Sequence, residues 1–405
     1  MPEFQYKARD TQGRSRTGVL EADNQAVVLE RLRTSQLMPI EIKQKKGANL
    51  SADIRIPGIT DRIALKDVAV GSRQLSTMIN AGLPLLRALT VMTEQTENKA
   101  LAKTWDQVRQ DVQVGASFSA ALQKHPKAFN QLYVAMVKAG ETGGVLDSVL
   151  LRVADTLEKQ VELRNKVKSA MTYPVMVAIL VFLILMAILL FVVPTFQELY
   201  AGLGGTLPVP TRILLFLSKV VQRFFVFVIL GLVGAGFLFR RSIATEKGRA
   251  VFDRVKLKMP IFGQLFRKVA MSRFARTLGV LMKSGVPVLQ SIEITQDTVG
   301  NKVVAAALGD VQTSVREGET IAGPLSRHPV FPPMVVQMLA VGEETGAVDN
   351  MLEKVADFYD SEVDATVQSL TSLIEPLLIA VLGAVVGGIL ISLYLPMFQL
   401  INLIQ

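Results

Sequence analysis

Apolar and polar residues follow two different patterns along this chain. Over most of it they alternate at helical spacing, but two stretches carry no polar stripe. Val175 to Val193 (VMVAILVFLILMAILLFVV) and Leu377 to Leu395 (LLIAVLGAVVGGILISLYL) are each 19 residues long and uncharged. At about 1.5 Å per residue such a helix reaches about 28 Å, close to the hydrocarbon thickness of a bilayer. A buried helix of a soluble protein would show one polar face at this length. A third stretch, Phe224 to Phe239, is fully apolar but shorter. Ahead of it Thr211 to Arg223 is amphipathic and holds Arg212, Lys219 and Arg223. That pattern predicts a helix entering from the interface with its basic side chains snorkelling.

Between these stretches the pattern predicts helices joined by short turns and no sheet. Leu75–Asn80 and Leu85–Glu94 are split by Ala81-Gly82-Leu83-Pro84, where Gly82 ends one helix and Pro84 opens the next. Leu101–Val114 ends at Gly115, and Ser117–Leu122 is stopped by His125-Pro126. Asn130–Ala139 is followed by Gly140-Glu141-Thr142-Gly143. The next helix starts near Leu146 and runs towards the first apolar stretch, with Pro174 expected to kink it at the membrane surface.

The same module occurs twice. A shift of 203 residues aligns Gly82 with Gly285, Pro84 with Pro287, Asn98-Lys99 with Asn301-Lys302, and His125-Pro126 with His328-Pro329. It also pairs Glu141-Thr142-Gly143 with Glu344-Thr345-Gly346; one residue is then lost, and a shift of 202 aligns Val153-Ala154-Asp155 with Val355-Ala356-Asp357, and Pro174 with Pro376. Identities held over more than a hundred residues make chance a poor explanation. Each copy is a polar helical module feeding an apolar helix. The stretch near Phe224–Phe239 has no counterpart. It is needed to bring the second module back to the side of the first.

Charge agrees with that layout. Residues 1–172 hold 25 of the 44 Lys and Arg, residues 240–371 hold 16, and the loop from Thr195 to Thr211 and the tail after Leu395 hold none. By the positive-inside rule both modules face the cytoplasm, while the loop and the C-terminus face outward. Lys219 and Arg223 fit this worst, because it places them near the outer face. The net charge of +9 therefore reads as topology, with no nucleic-acid partner expected. The start, Met1-Pro2-Glu3-Phe4, lacks the apolar core of a signal peptide. Cysteine is absent and only two histidines occur, which argues against thiolate chemistry and a histidine-based metal centre.

The start of the chain has a different pattern. Phe4–Ala8 and Arg16–Leu20 read as strands around Asp10-Thr11-Gln12-Gly13, Asn24 as the cap of a helix to about Arg33, and Met38–Ile42 as a third strand. The expected fold is thus an all-α membrane protein with a small α+β N-terminal unit. Its layout is an N-terminal unit at 1–43, a linker at 44–62, module 1 at 63–172 and a first span at 173–194. A short outer loop follows at 195–210, then an interfacial and second spanning helix at 211–239, module 2 at 240–371, a third span at 372–395 and an outer tail at 396–405.

Candidate chemistry is sparse. The Gly-Glu-Thr-Gly turns (Glu141, Thr142, Gly143; Glu344, Thr345, Gly346) invite an anion or metal reading. A Gly-terminated helix, with Thr near the next N-cap and Glu near a helix dipole, is the better reading, and a partner contact is the next alternative. Glu375, beside Pro376 at the mouth of the last span, is a carboxylate of functional interest; its counterpart Tyr173 shows that the repeat itself does not need it. The chain has no G-x-x-x-x-G-K-[ST] loop, no G-x-S-x-G elbow and no H-E-x-x-H. No enzyme activity and no cofactor are expected. The absence of charge at mid-depth of the spans weakens a transporter reading. Gly383 and Gly387 suit close helix packing instead.

These features together resemble the type II secretion system F-protein family. The resemblance rests on the doubled Gly-x-Pro…Gly-Glu-Thr-Gly module, the opening Phe4-Gln5-Tyr6-Lys7-Ala8-Arg9-Asp10, Lys258-Met259-Pro260-Ile261-Phe262-Gly263, and the ending Ser392-Leu393-Tyr394-Leu395-Pro396-Met397-Phe398. It spans essentially the whole chain. It implies a bacterial inner-membrane platform that binds a cytoplasmic hexameric ATPase for assembly or retraction. Pilin or pseudopilin subunits, other inner-membrane assembly proteins, lipid and further copies of the chain are the other implied partners. The ending favours the type IV pilus branch over the secretion branch. The second copy reads Gly342-Glu343-Glu344-Thr345-Gly346, one residue longer than Gly140–Gly143, which leaves the equivalence of the two turns open.

Overall fold

The computed structural model describes residues 3–9, 15–22, 24–34, 38–44, 63–196, 208–260 and 262–401. The expected Asp10–Gly13 turn, the linker from 45 to 62, most of the outer loop and the last four residues lie outside them.

The N-terminal unit consists of strands β1 (Glu3–Arg9), β2 (Ser15–Glu21) and β3 (Met38–Gln44) with helix α1 (Gln25–Thr34). The sheet is antiparallel in the order β2-β1-β3, with Tyr6 opposite Gly18 and Ile42. Asn24 caps α1 by accepting the Val27 N–H at 3.0 Å. Phe4, Ala22, Val28 and Leu32 form its small core.

In module 1, α2 (Leu65–Asn80), α3 (Leu85–Gln95), α4 (Lys99–Gln113), α5 (Phe118–Gln123) and α6 (Gln131–Gly143) form a bundle in which α2 and α6 pack against α7 (Leu146–Ala187). The helices start where the sequence supplies caps: Asn98, Ser117 and Asn130 each accept backbone N–H groups. Trp105, Phe129 and Tyr133 stack at the centre, with ring centroids 4.9 and 5.0 Å apart. Module 2 repeats the plan with α10 (Phe262–Lys283), α11 (Val288–Thr298), α12 (Lys302–Arg316), α13 (Ala322–Ser326), α14 (Pro333–Thr345) and α15 (Val348–Ile401). Phe274 and Phe331 meet at 5.1 Å in its core.

Neither module is closed on itself. Leu281, Val286 and Ile294 of module 2 are buried in the core of module 1. A further apolar cluster joins Leu163 of α7 to Leu265, Val269, Val363, Leu370 and Ile374. The modules therefore share an interface made by the roots of both long helices.

Those helices carry the chain towards the bilayer. The helices at Leu146–Phe196 and Val348–Pro396 are long and apolar enough to cross a membrane, and the protein is an all-α membrane protein apart from its N-terminal sheet. Between them α8 (Val209–Ala244) is one helix with a bend at Phe224 (φ −113°, ψ 16°), where the amphipathic segment meets the apolar one. A short helix, α9 (Glu246–Lys258), links α8 to α10.

Candidate functional site: module turns, shared interface and spans

The glycine–proline turns match between the copies. Gly82 and Gly285 have φ of 85° and 82°, a region that suits glycine. Pro84 and Pro287 follow as the N-caps of α3 and α11, one position ahead of the first helical turn expected for them.

At the Gly-Glu-Thr-Gly segments the structure changes the alignment. Gly140, Glu141, Thr142 and Gly143 form the last turn of α6, and the left-handed residue that ends it is Gly144 (φ 67°), not Gly143. In module 2 α14 likewise ends at Gly346 (φ 68°). Glu141 turns back onto the start of α5, accepting the Phe118 N–H at Oε1 and the Ser119 N–H at Oε2, the latter at 2.9 Å. In module 2 that role belongs to Glu343, which accepts the Ile321 N–H and, at 3.0 Å, the Ala322 N–H. Glu344, the residue expected from identity matching, is exposed. The segments are equally long, Gly140–Gly144 against Gly342–Gly346, and the missing residue of module 2 falls earlier, just after His328-Pro329. Thr142 and Thr345 donate to Lys138 O and Val341 O within their own helices instead of capping the next ones. Gly140 and Gly342 sit where helices nearly touch: an added Cβ would lie 2.9 Å from Val149 Cβ and from Val348 Cα, respectively.

A second repeated feature was not singled out in the sequence. Arg73 of α2 pairs with Asp155 and Glu158 of α7, the Nη2–Glu158 distance being 2.6 Å. Arg276 of α10 pairs with Asp357 and Asp360 of α15, the first at 2.9 Å. These residues follow the same shifts, 203 for the arginines and 202 for the acids, so the duplication carried the signal. Hydrogen bonding to Arg73 holds the Glu158 carboxyl below its ordinary pKa. Across the module interface, Arg152 donates to Lys283 O at 2.7 Å, and Lys166 pairs with Asp364 at 2.8 Å. Hydrogen bonding to Asp364 holds the Lys166 ammonium above its ordinary pKa. A cavity of about 450 Å³ lies between the modules, lined by Arg152, Glu158, Arg276, Lys283, Glu353 and neighbouring charged groups. It is a charged seam, not the mostly apolar pocket typical of small-molecule sites.

The chain stays helical through Pro174 and through Pro376. In the first span a π-helical turn occurs further on, at Ile188–Val192. There Leu189 O accepts a hydrogen bond of 2.6 Å from Ser218 of α8, and Thr211 of α8 donates to Ser392 O on α15. Leu189, Val193, Leu215 and Leu393 pack around these bonds. The helices are thus tied together near the ends furthest from the modules. Glu375 lies on α15, but its side chain is outside the described residues.

Comparison with known proteins matches both halves of this architecture. The family description "Type II secretion system (T2SS), protein F" fits residues 72–194 and again 274–396, and the N-terminal domain of the same family fits residues 1–43. The chain is 46% identical to a type IV pilus assembly protein PilC of Thermus thermophilus, covering 99% of each chain. It is 44% identical to the PilC of Myxococcus xanthus, over 100% of this chain and 96% of that one. It is also 32% identical to a type II secretion system protein F of Vibrio cholerae, over 100% of both.

Proposed function

The chain belongs to the type II secretion system F-protein family, and on that premise we propose that it is the inner-membrane platform of a type IV pilus assembly machine. The observation that carries this reading is whole-length identity of 44% and 46% to the two PilC proteins, against 32% to the secretion protein F of Vibrio cholerae. The architecture supports it: two polar modules joined by a shared interface, each continuous with a long apolar helix, suit a membrane scaffold better than a pocket enzyme.

In this reading α8 is a third crossing, both modules and the N-terminal unit lie in the cytoplasm, and the 195–210 loop and C-terminus lie outside. A cytoplasmic ATPase bears on the modules, and α7 and α15 carry the displacement into the spans where pilin subunits enter or leave. The cysteine-free sequence allows the sidedness to be tested. Lys103→Cys in module 1 and Arg316→Cys in module 2 are expected to react with an impermeant maleimide only in inside-out vesicles; labelling of either in intact spheroplasts would refute the layout. Co-purification from crosslinked membranes is expected to yield a type IV pilin. Recovery of only a secretion pseudopilin would favour the secretion branch.

A further inference from the structure

Helix α9 is held in one orientation by features on three sides. Thr245 caps it, accepting the Gly248 N–H at 3.1 Å and donating to Ser242 O at 2.7 Å, which makes a tight elbow with α8. A Cβ on Gly248 would fall 2.0 Å from Ser242 O, and one on Gly263, after the helix, 2.7 Å from Leu257 O. The inner face is pinned by Asp253, buried and accepting the Lys302 N–H at the start of α12 at 2.9 Å.

That docking determines what the opposite face presents. At about 100° per residue, Val251 lies about 160° around the helix from Asp253. Val251 and Val255 are 61% and 52% exposed, and Met259, just past the helix end, is 41% exposed. Lys247, Arg254 and Lys258 fall within about 60° of Val251 on its other side. All three are exposed. The apolar strip continues without a break onto the end of α8, where Phe239, Ile243, Val251, Phe252 and Val255 line a groove of about 430 Å³. Phe239 and Phe252 meet edge to face at 5.6 Å, and Lys256 sits 4.4 Å over the Phe252 ring. Arg240 and Arg241, both exposed, lie near the end of α8.

An apolar strip edged by cations, fixed at the end of an apolar helix, matches the chemistry of an interfacial helix on a negatively charged bilayer. We propose that α9 lies on the membrane and that its outer face binds anionic phospholipid headgroups of the leaflet in which α8 ends. The valines enter the acyl boundary while Lys247, Arg254 and Lys258 meet the phosphates. Module 2, to which α9 is pinned through Asp253, is thereby set at a fixed height against the bilayer. This inference rests on the reading that α8 crosses the membrane.

The test uses the full chain reconstituted in vesicles of neutral phosphatidylcholine, with and without phosphatidylglycerol. An environment-sensitive fluorophore is placed at Val251→Cys, Val255→Cys or, as a control inside α8, Leu230→Cys. Trp105 emission, from the chain's single tryptophan, checks that each variant is folded. Expected is quenching of the Leu230 probe by lipids brominated deep in the acyl chain in both vesicle types. The Val251 and Val255 probes are expected to be quenched by lipids brominated near the headgroup, and mainly when phosphatidylglycerol is present. Each basic residue near an anionic surface is worth about a fivefold change in partitioning, so Lys247→Gln, Arg254→Gln and Lys258→Gln together are expected to abolish that dependence. Quenching at Leu230 with none at Val251 and Val255, or equal signals there in both vesicle types, overturns the docking alone. No quenching at Leu230 overturns the crossing, and the docking with it.

Discussion

At the scale of single residues, Glu141 and Glu343 do most to define the modules, because each ties the end of one helix to the start of another. Removing either carboxylate leaves two backbone N–H groups without an acceptor in a partly buried setting. Glu141→Ala and Glu343→Ala are expected to cost about 1–3 kcal/mol, whereas Glu344→Ala stays within about 0.5 kcal/mol of the parent. Thermal unfolding in detergent would check this, and an equal loss for Glu344→Ala would restore the identity-based alignment. The pH dependence follows from Glu158. Its folded-state pKa is depressed by Arg73, so the folded chain binds protons there less readily than the unfolded chain. The pairing therefore supports the fold in full above the ordinary carboxylate pKa of about 4.3 and loses that support as pH falls below it through the depressed value. Arg73→Gln is expected to flatten this part of the acid-unfolding curve, measured against the parent. The turn glycines and the duplication itself were legible in the sequence. The choice between Glu343 and Glu344 was not, because identity matching maximises shared letters, while the fold requires a carboxylate three residues ahead of the left-handed glycine, as at Glu141 and Gly144.

At the scale of elements, the two long apolar helices were legible because a long uncharged run has few other uses in a folded chain. Their mutual packing was not, because a hydroxyl in an apolar helix commonly bonds its own carbonyl four residues back, and only coordinates distinguish that from a bond to a neighbour. Thr195 takes the local option, donating to Phe191 O at 3.0 Å. Ser218 and Thr211 take the other, and Ser218 reaches a carbonyl within a π-helical turn, where the ordinary backbone ladder is altered. Ser218→Ala and Thr211→Val are each expected to weaken the association of the spans by about 0.6 kcal/mol, the usual size of a hydrogen bond between membrane helices. Thr195→Val is expected to leave it unchanged. Unfolding in mixed micelles would report the difference, and equal effects for all three variants would show that the hydroxyls matter only within their own helices. Helix α9 was a further element that periodicity did not single out. Its thirteen residues mix basic and apolar side chains, and its place is fixed by close backbone approaches at Gly248 and Gly263.

At the scale of the whole molecule, the duplication suggested two separate modules, but the core of module 1 takes in residues of module 2. Sequence periodicity shows that a helix has an apolar face; it does not show whether that face is buried within its own copy or against the other. Ile294 illustrates the difference: it lies on α11 of module 2, yet it is buried in the cluster that contains Trp105 of module 1. If the modules unfold as one unit, a change confined to module 2 must lower the transition seen by a probe in module 1. Trp105 is such a probe, being the chain's one tryptophan and fully buried. Ile294→Ala is expected to cost about 2–5 kcal/mol and to shift the Trp105 fluorescence transition to lower denaturant. Val311→Ala, in the separate core cluster of module 2, distinguishes contact from cooperativity, because Val311 is not part of the Trp105 cluster. A shared transition requires both variants to move the Trp105 midpoint. If Ile294→Ala moves it and Val311→Ala does not, the modules touch but unfold separately. Joint movement instead means that force applied to either module is borne by both, as the proposed coupling to a cytoplasmic ATPase requires.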